Sequence, residues 1–336
     1  MLLGIMSNSN YRDAISAFLA DVQRRVAIAA THPEAQLVSS VDAFVTSMSG
    51  HLGIAAELVH EAANHELGIR PDLGVLVDGL LTGYIELKAP GKGSEPSRFT
   101  DAHDRRQWER FKELPNVIYT DGLQWSLFRH GERVATCDVG TLEGGNRVSS
   151  LVANSLTQLL QDFLIWEPTA PSSTEALARL LAPICRLLRD DVLIAVGNPD
   201  SALNNMASDW RQVLFPEADD RQFADAYAQT LTYALLLARL DPSTEVGGTL
   251  TASRASEAIE EGYGLLAQTL RVLSDPELRA EIGTALELLE RVIGSIVPEQ
   301  LSRSPNTDIW LYFYEQFLAE YDPVLREERG VYYTPV

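Results

Sequence analysis

Cysteine is scarce. Cys137 and Cys185 are the only two in 336 residues, which excludes a disulfide scaffold and a thiolate zinc site and suits a reducing cytosol. Long apolar runs are missing as well. The longest, around Tyr233–Ala238, is far too short to span a bilayer, and Met1–Asn10 lacks the basic flank and apolar core of a signal peptide. A cytoplasmic protein with no membrane partner is the expectation. Basic residues are in deficit: 27 Lys+Arg against 47 Asp+Glu give a net charge of −20. At first sight that speaks against a nucleic-acid partner, because like charges repel phosphates. The six histidines form no His-x-x-x-His or Glu-flanked zinc helix, no Gly-x-Ser-x-Gly elbow occurs, and Gly91-Lys-Gly-Ser94 lacks the frame of a phosphate loop.

What is present is 46% apolar residues, enough for two domains with a core each. The acidity is uneven. Residues 1–150 hold 14 basic and 19 acidic residues, and the remainder 13 and 28. Between Lys88 and Lys112 the sign reverses, with Lys88, Lys92, Arg98, Arg105, Arg106, Arg110 and Lys112 against four acids. That patch is a candidate for DNA-backbone contact.

Helical spacing covers Tyr11–Ala30 and Glu34–Met48, with Pro33 as the break between them. Short apolar runs at Leu58–Val59, Leu73–Val77, Leu80–Leu87, Asn116–Thr120 and Trp125–Phe128 predict strands, and a polar helix is predicted over Arg105–Leu114. The first part therefore reads as an α/β domain with a mixed central sheet. From Leu151 onward the pattern is helical: Leu151–Trp166, Thr174–Val196, Ala207–Phe215, Asp220–Leu240, Ala252–Leu273, Pro276–Ile293 and Asp308–Tyr321. The expected division is 1–145, then an all-α domain at 150–325, with the join near Gly140–Asn146, and a short separate segment at 326–336.

The chemistry concentrates at Arg70–Gly91. Glu86 and Lys88 interrupt an apolar strand at spacing i, i+2, which puts both on one face. Burying that pair is costly unless the two groups pair with each other or hold an ion. Asp72 heads the preceding strand, across an Asp78-Gly79 turn. Two carboxylates, Asp72 and Glu86, suit a hard cation such as Mg²⁺ or Mn²⁺. Lys88 would orient or deprotonate water and stabilise developing charge in phosphodiester hydrolysis. A two-residue turn alone would put Asp72 on the opposite face from Glu86. Either an odd-length loop or a bulge at Gly83 is required to bring them level. A plain salt-bridged hairpin is the simpler alternative.

These residues resemble a known family. Arg70-Pro-Asp72, Gly83-Tyr-Ile-Glu86-Leu-Lys88-Ala-Pro-Gly91, Gln107-Trp108 and Leu114-Pro-Asn-Val-Ile-Tyr-Thr-Asp-Gly122 resemble the PD-(D/E)xK nuclease domains that begin single-chain, type IIG-like restriction–modification enzymes. The resemblance covers most of 40–135. It implies a restriction-endonuclease-like fold and a metal-dependent, type II-like deoxyribonuclease acting on double-stranded DNA. It also implies a Leu87 backbone carbonyl on the metal, Gln107 at the site, and one further upstream acid: Glu61, with Glu57 and Glu66 as rivals.

A second stretch, Gly330-Val-Tyr-Tyr-Thr-Pro335, resembles the cofactor-contacting motif that opens an N6-adenine DNA methyltransferase. By that resemblance Tyr333, Thr334 and Pro335 would touch S-adenosylmethionine. The Gly-rich loop and the Asn/Asp-Pro-Pro-Tyr/Phe tetrapeptide of such enzymes do not occur. The expectation is a fragment whose methyltransferase and target-recognition domains lie downstream, within an antiviral restriction–modification protein. Phe223–Arg239 resembles the helical connector of the same enzymes. The competing expectation is a non-cleaving DNA-docking or assembly module of a methylation-based phage-defence complex.

Overall fold

The computed structural model describes residues 8–28, 33–60, 70–142, 148–213, 216–244, 249–282, 284–301 and 309–323. The chain divides into two compact units, 1–167 and 168–336. Glu61, Glu66, Tyr333, Thr334 and Pro335 lie outside the described residues.

The first unit starts with helices α1 (Asn8–Ile28) and α2 (Pro33–Leu52). Pro33 opens α2 rather than merely breaking the chain, consistent with a residue that donates no amide hydrogen and whose φ is already helical. Six strands follow: β1 (Ala56–His60), β2 (Leu73–Val77), β3 (Leu80–Leu87), β4 (Val117–Thr120), β5 (Gln124–Arg129) and β6 (Glu132–Asp138). They form one mixed sheet in sequence order, antiparallel except for the parallel β3–β4 pair. A parallel pair needs a crossover, and here it is helix α3 (Ala102–Phe111). Strand β6 has no counterpart among the predicted strands. It is an edge strand with mostly exposed residues, so the apolar signal is weak there.

Helix α4 (Ser150–Leu164) closes the unit. Its Leu156, Leu159, Leu160 and Phe163 join Phe18, Leu19, Leu37, Phe44 and the sheet residues Leu73, Val75, Ile85, Ile118 and Trp125 in one core. The compact division therefore falls after Glu167 and not at the expected 140–146, because the apolar stripe of α4 is buried against the first unit. Phe18 and Phe44 pack on Trp125 at ring-centre distances of 5.9 and 5.6 Å. On the opposite face, Trp108 of α3 meets Tyr119 and Phe128 at 5.5 and 4.9 Å.

The second unit is helical throughout the described residues. It contains α5 (Thr174–Val196), α6 (Ala202–Val213), α7 (Asp220–Leu240), α8 (Ala252–Ala258), α9 (Gly264–Leu273), α10 (Pro276–Arg279), α11 (Ala285–Gly294), α12 (Pro298–Leu301) and α13 (Ile309–Tyr321). Helix α5 is its axis and packs against α6, α7, α11 and α13. Two long predicted helices are each split. The 252–273 segment breaks around Gly262, a residue of low helix propensity, and the 276–293 segment is interrupted between Arg279 and Ala285. Arg189 of α5 is held by Asp190 at 2.9 Å, and Tyr321 donates its hydroxyl to Asp225 at 2.6 Å. No helix among the described residues is long and apolar enough to cross a membrane.

Candidate active site

The β2–β3 hairpin sets the geometry. Asp78 and Gly79 both have positive φ, 51° and 77°, as a tight two-residue turn requires. Val77 accordingly pairs with Leu80 and Leu76 with Leu81. The register then shifts: Val75 pairs with Gly83, leaving Thr82 as the extra residue, and Leu73 pairs with Ile85. Asp72, one residue before Leu73, comes level with Glu86, one residue after Ile85. Of the two ways to bring them together, the bulge is the one present; the odd-length loop is not.

Gly83 makes the bulge possible. A Cβ there would lie 2.3 Å from the Asn116 carbonyl oxygen and 2.8 Å from the Phe163 ring. The Asn116 side-chain amide donates to the carbonyls of Thr82 and Phe163, each at 3.0 Å, pinning the bulge to the end of α4.

Asp72 accepts the Leu87 amide at 2.6 Å. The contact seen at Leu87 is thus through its N–H. Glu86 and Lys88 are almost wholly buried, at 1% and 2% exposure. The Lys88 ammonium donates to Glu86 Oε1 at 2.8 Å and to Gln107 Oε1 at 2.5 Å, and lies 3.2 Å from Asp104 Oδ1. Burial alone would lower the Lys88 pKa, but Glu86, Asp104 and Asp72 outweigh it and raise the value above that of an ordinary lysine. In this metal-free arrangement Lys88 is therefore held as a cation.

Glu86 is the opposite case. Burial first, then the Asp72 charge, push its pKa up to about 8, against the pull of Lys88, and Glu34 adds to the rise. Its second oxygen, Oε2, is buried without a hydrogen-bond partner. Four carboxylates (Asp72, Glu86, Asp104 and Glu34) face two ammoniums (Lys88 and Lys92). Among these described groups the excess is one negative charge while Glu86 holds its proton and two once it ionises, which, with the unpartnered Glu86 oxygen beside Asp72, fits a divalent oxygen-ligated cation. No cluster of three or more His, Cys, Asp or Glu side chains able to hold a metal occurs among the described residues. Among the described residues Asp72 and Glu86 are the carboxylates that would serve as side-chain ligands, and Glu61 lies outside them.

Three residues of this neighbourhood escape a reading of the sequence. Glu34 opens α2 and accepts the Ala89 amide at 2.9 Å. Asp104 was counted only as an acid within the basic patch, although it shares a helix face with Gln107 at spacing i, i+3. Tyr119 pairs with Glu86 across the parallel β3–β4 register, with the Lys88 ammonium 5.9 Å from its ring centre. Its buried hydroxyl has no partner, and burial followed by the Glu86 charge raises its pKa well above that of a free tyrosine. Glu57 is exposed in β1, paired with Leu76 toward the turn end of the hairpin and away from Asp72.

The Gly91–Ser94 loop does form an anion-binding turn, with positive φ at Gly91 and Gly93. Its occupant is internal: Asp121 accepts the amides of Gly91 and Gly93 at 3.0 and 2.8 Å, and those of Leu123 and Gln124 at 3.0 and 2.8 Å. A groove of about 670 Å³ runs beside the loop, lined in part by Lys92, Arg98 and Gln124.

No protein-family profile matches the chain, and no curated protein matches it. Among solved structures it is similar to one described as "cryoEM structure DrdV-DNA complex", at 17% identity and a TM-score of 0.34, over 96% of this chain and 30% of that one. The chain spans less than a third of that protein's length. A likeness this loose transfers neither fold nor activity.

Proposed function

We propose that the first unit is a PD-(D/E)xK-type, metal-dependent DNA endonuclease module of a restriction–modification or phage-defence protein. One observation carries the reading: the unpartnered Glu86 Oε2, level with Asp72 and flanked by a lysine held by Glu86, Gln107 and Asp104. Asp72, Glu86 and the Leu87 carbonyl would hold Mg²⁺ or Mn²⁺, which when bound supplies charge neutralisation and an acidified water. Lys88 would present a permanent positive charge to the scissile phosphate, and such preorganised charge acts most strongly in a dry site. Gln107 fixes the direction of that charge by accepting one of its protons.

The wider proposals rest on the resemblance in sequence: S-adenosylmethionine contact at Tyr333, Thr334 and Pro335, downstream methyltransferase and target-recognition domains, and a cytoplasmic role in defence against foreign DNA. The test of the central reading is a nicking assay on the full-length protein with Mg²⁺ or Mn²⁺. Wild type is expected to cut duplex DNA, and Lys88→Ala to cut on the order of a hundredfold or more slowly, the range seen when one charge-stabilising group is lost. Equal, negligible cutting by both would favour the non-cleaving docking module.

A further inference from the structure

Asp104 has no part in the chemistry just described, yet it is only 3% exposed and spends both oxygens on lysines. Oδ1 lies 3.2 Å from Lys88 Nζ on β3, and Oδ2 is ion-paired with Lys92 Nζ on the loop beyond the strand. That loop is itself fixed by Asp121 through the Gly91 and Gly93 amides. A buried carboxylate between two ammoniums is held in one orientation, because each oxygen has a different partner.

We propose that Asp104 is a positioning residue of the metal site, a proposal that rests on the metal-dependent reading above. It draws the Lys88 ammonium toward α3, so that Lys88 engages Glu86 through Oε1 alone and leaves Oε2 clear for the cation. Lys92 anchors the carboxylate from the loop side. Without the Asp104 charge, Lys88 would keep only the neutral Gln107 and the Glu86 carboxyl as partners, and its charge would compete with the metal for Glu86. Asp104 would then govern cation affinity without being a ligand.

The test is a double-mutant cycle on Mn²⁺ binding, read as free Mn²⁺ by electron paramagnetic resonance with no DNA present. D104N is expected to weaken Mn²⁺ binding at least fivefold, about 1 kcal/mol, within the coupling range of contacting residues. In a K88M background the same D104N change is expected to alter affinity less than twofold. Unchanged affinity in D104N, or equal weakening in both backgrounds, overturns the proposal, since a structural or long-range charge effect does not need Lys88. Circular dichroism melts check the fold. Should D104N not fold, D104N/K92M removes two opposite charges together, and the same weakening is expected of it. A wild type that takes up no Mn²⁺ sinks the metal site and this proposal with it. A wild type that binds Mn²⁺ but is matched by D104N sinks the proposal alone.

Discussion

Glu86→Gln separates the cost of the site to the fold from its use in binding a cation. In the metal-free protein, burial and Asp72 raise the Glu86 pKa from 4.5 to about 8. Between these values the folded chain holds a proton that the unfolded chain has released. Stability must therefore fall as pH rises from the unfolded value toward about 8. The slope is about 1.4 kcal/mol per pH unit while the proton difference is complete, and it flattens near the folded pKa. From pH 6 to pH 8 the loss comes to roughly 2 kcal/mol. Gln cannot ionise, so E86Q should lack this component while keeping every other titration. The assay is urea unfolding at pH 6, 7 and 8 in EDTA, comparing wild type with E86Q. The wild-type curve should drop relative to E86Q by about 2 kcal/mol across that window. Mg²⁺ at a hundred times its dissociation constant should then return about 2.7 kcal/mol to wild type and nothing to E86Q. A wild-type minus E86Q difference that does not vary with pH would refute the argument.

Two further perturbations probe the scaffold and the surface. Asn116→Ala removes both hydrogen bonds that join the bulge to α4, those to the carbonyls of Thr82 and Phe163; a loss of about 1–3 kcal/mol in unfolding free energy by urea is expected, and a loss below about 0.5 kcal/mol would show that the bulge holds without it. Arg105→Ala/Arg106→Ala removes two exposed guanidiniums from α3; if both meet phosphates, the log–log salt slope of duplex binding, read by fluorescence anisotropy, should shrink by about 2, and an unchanged slope would place DNA elsewhere.

Much of the hairpin was legible because its information is local. Leu80–Leu87 carries its own strand pattern, and the i, i+2 spacing of Glu86 and Lys88 fixes their common face before any partner strand is known. The need for either an odd-length loop or a bulge at Gly83 followed from counting residues back from the Asp78-Gly79 turn; the register takes the bulge, with Thr82, the neighbour of Gly83, as the extra residue. Local pattern does not reveal what covers what. The stripe of α4 is equally apolar whichever layer it joins, so only its packing shows that it closes the first unit. Glu34 reaches Ala89 from 55 residues away, and Tyr119 comes level with Glu86 only through a parallel pairing. Asp104 was accessible in principle, three residues before Gln107. Counted as a charge in a patch, it gave no sign that its face was the buried one.

The charge balance changes meaning once side chains have partners. Seven basic residues between Lys88 and Lys112 suggest a surface for phosphate, but three of them are engaged by carboxylates: Lys88 by Glu86 and Asp104, Lys92 by Asp104, and Lys112 by Glu109. Arg98, Arg105 and Arg106 remain exposed. Among the described residues the site they adjoin keeps an excess of negative charge even with Glu86 protonated, so without a cation its local field repels a phosphodiester as the whole chain of −20 does. A divalent ion cancels that excess. On this electrostatic ordering the metal must enter before, or together with, the phosphate. Under the proposed nuclease reading the exposed arginines would hold the flanking backbone, with the buried lysine facing the bond to be broken.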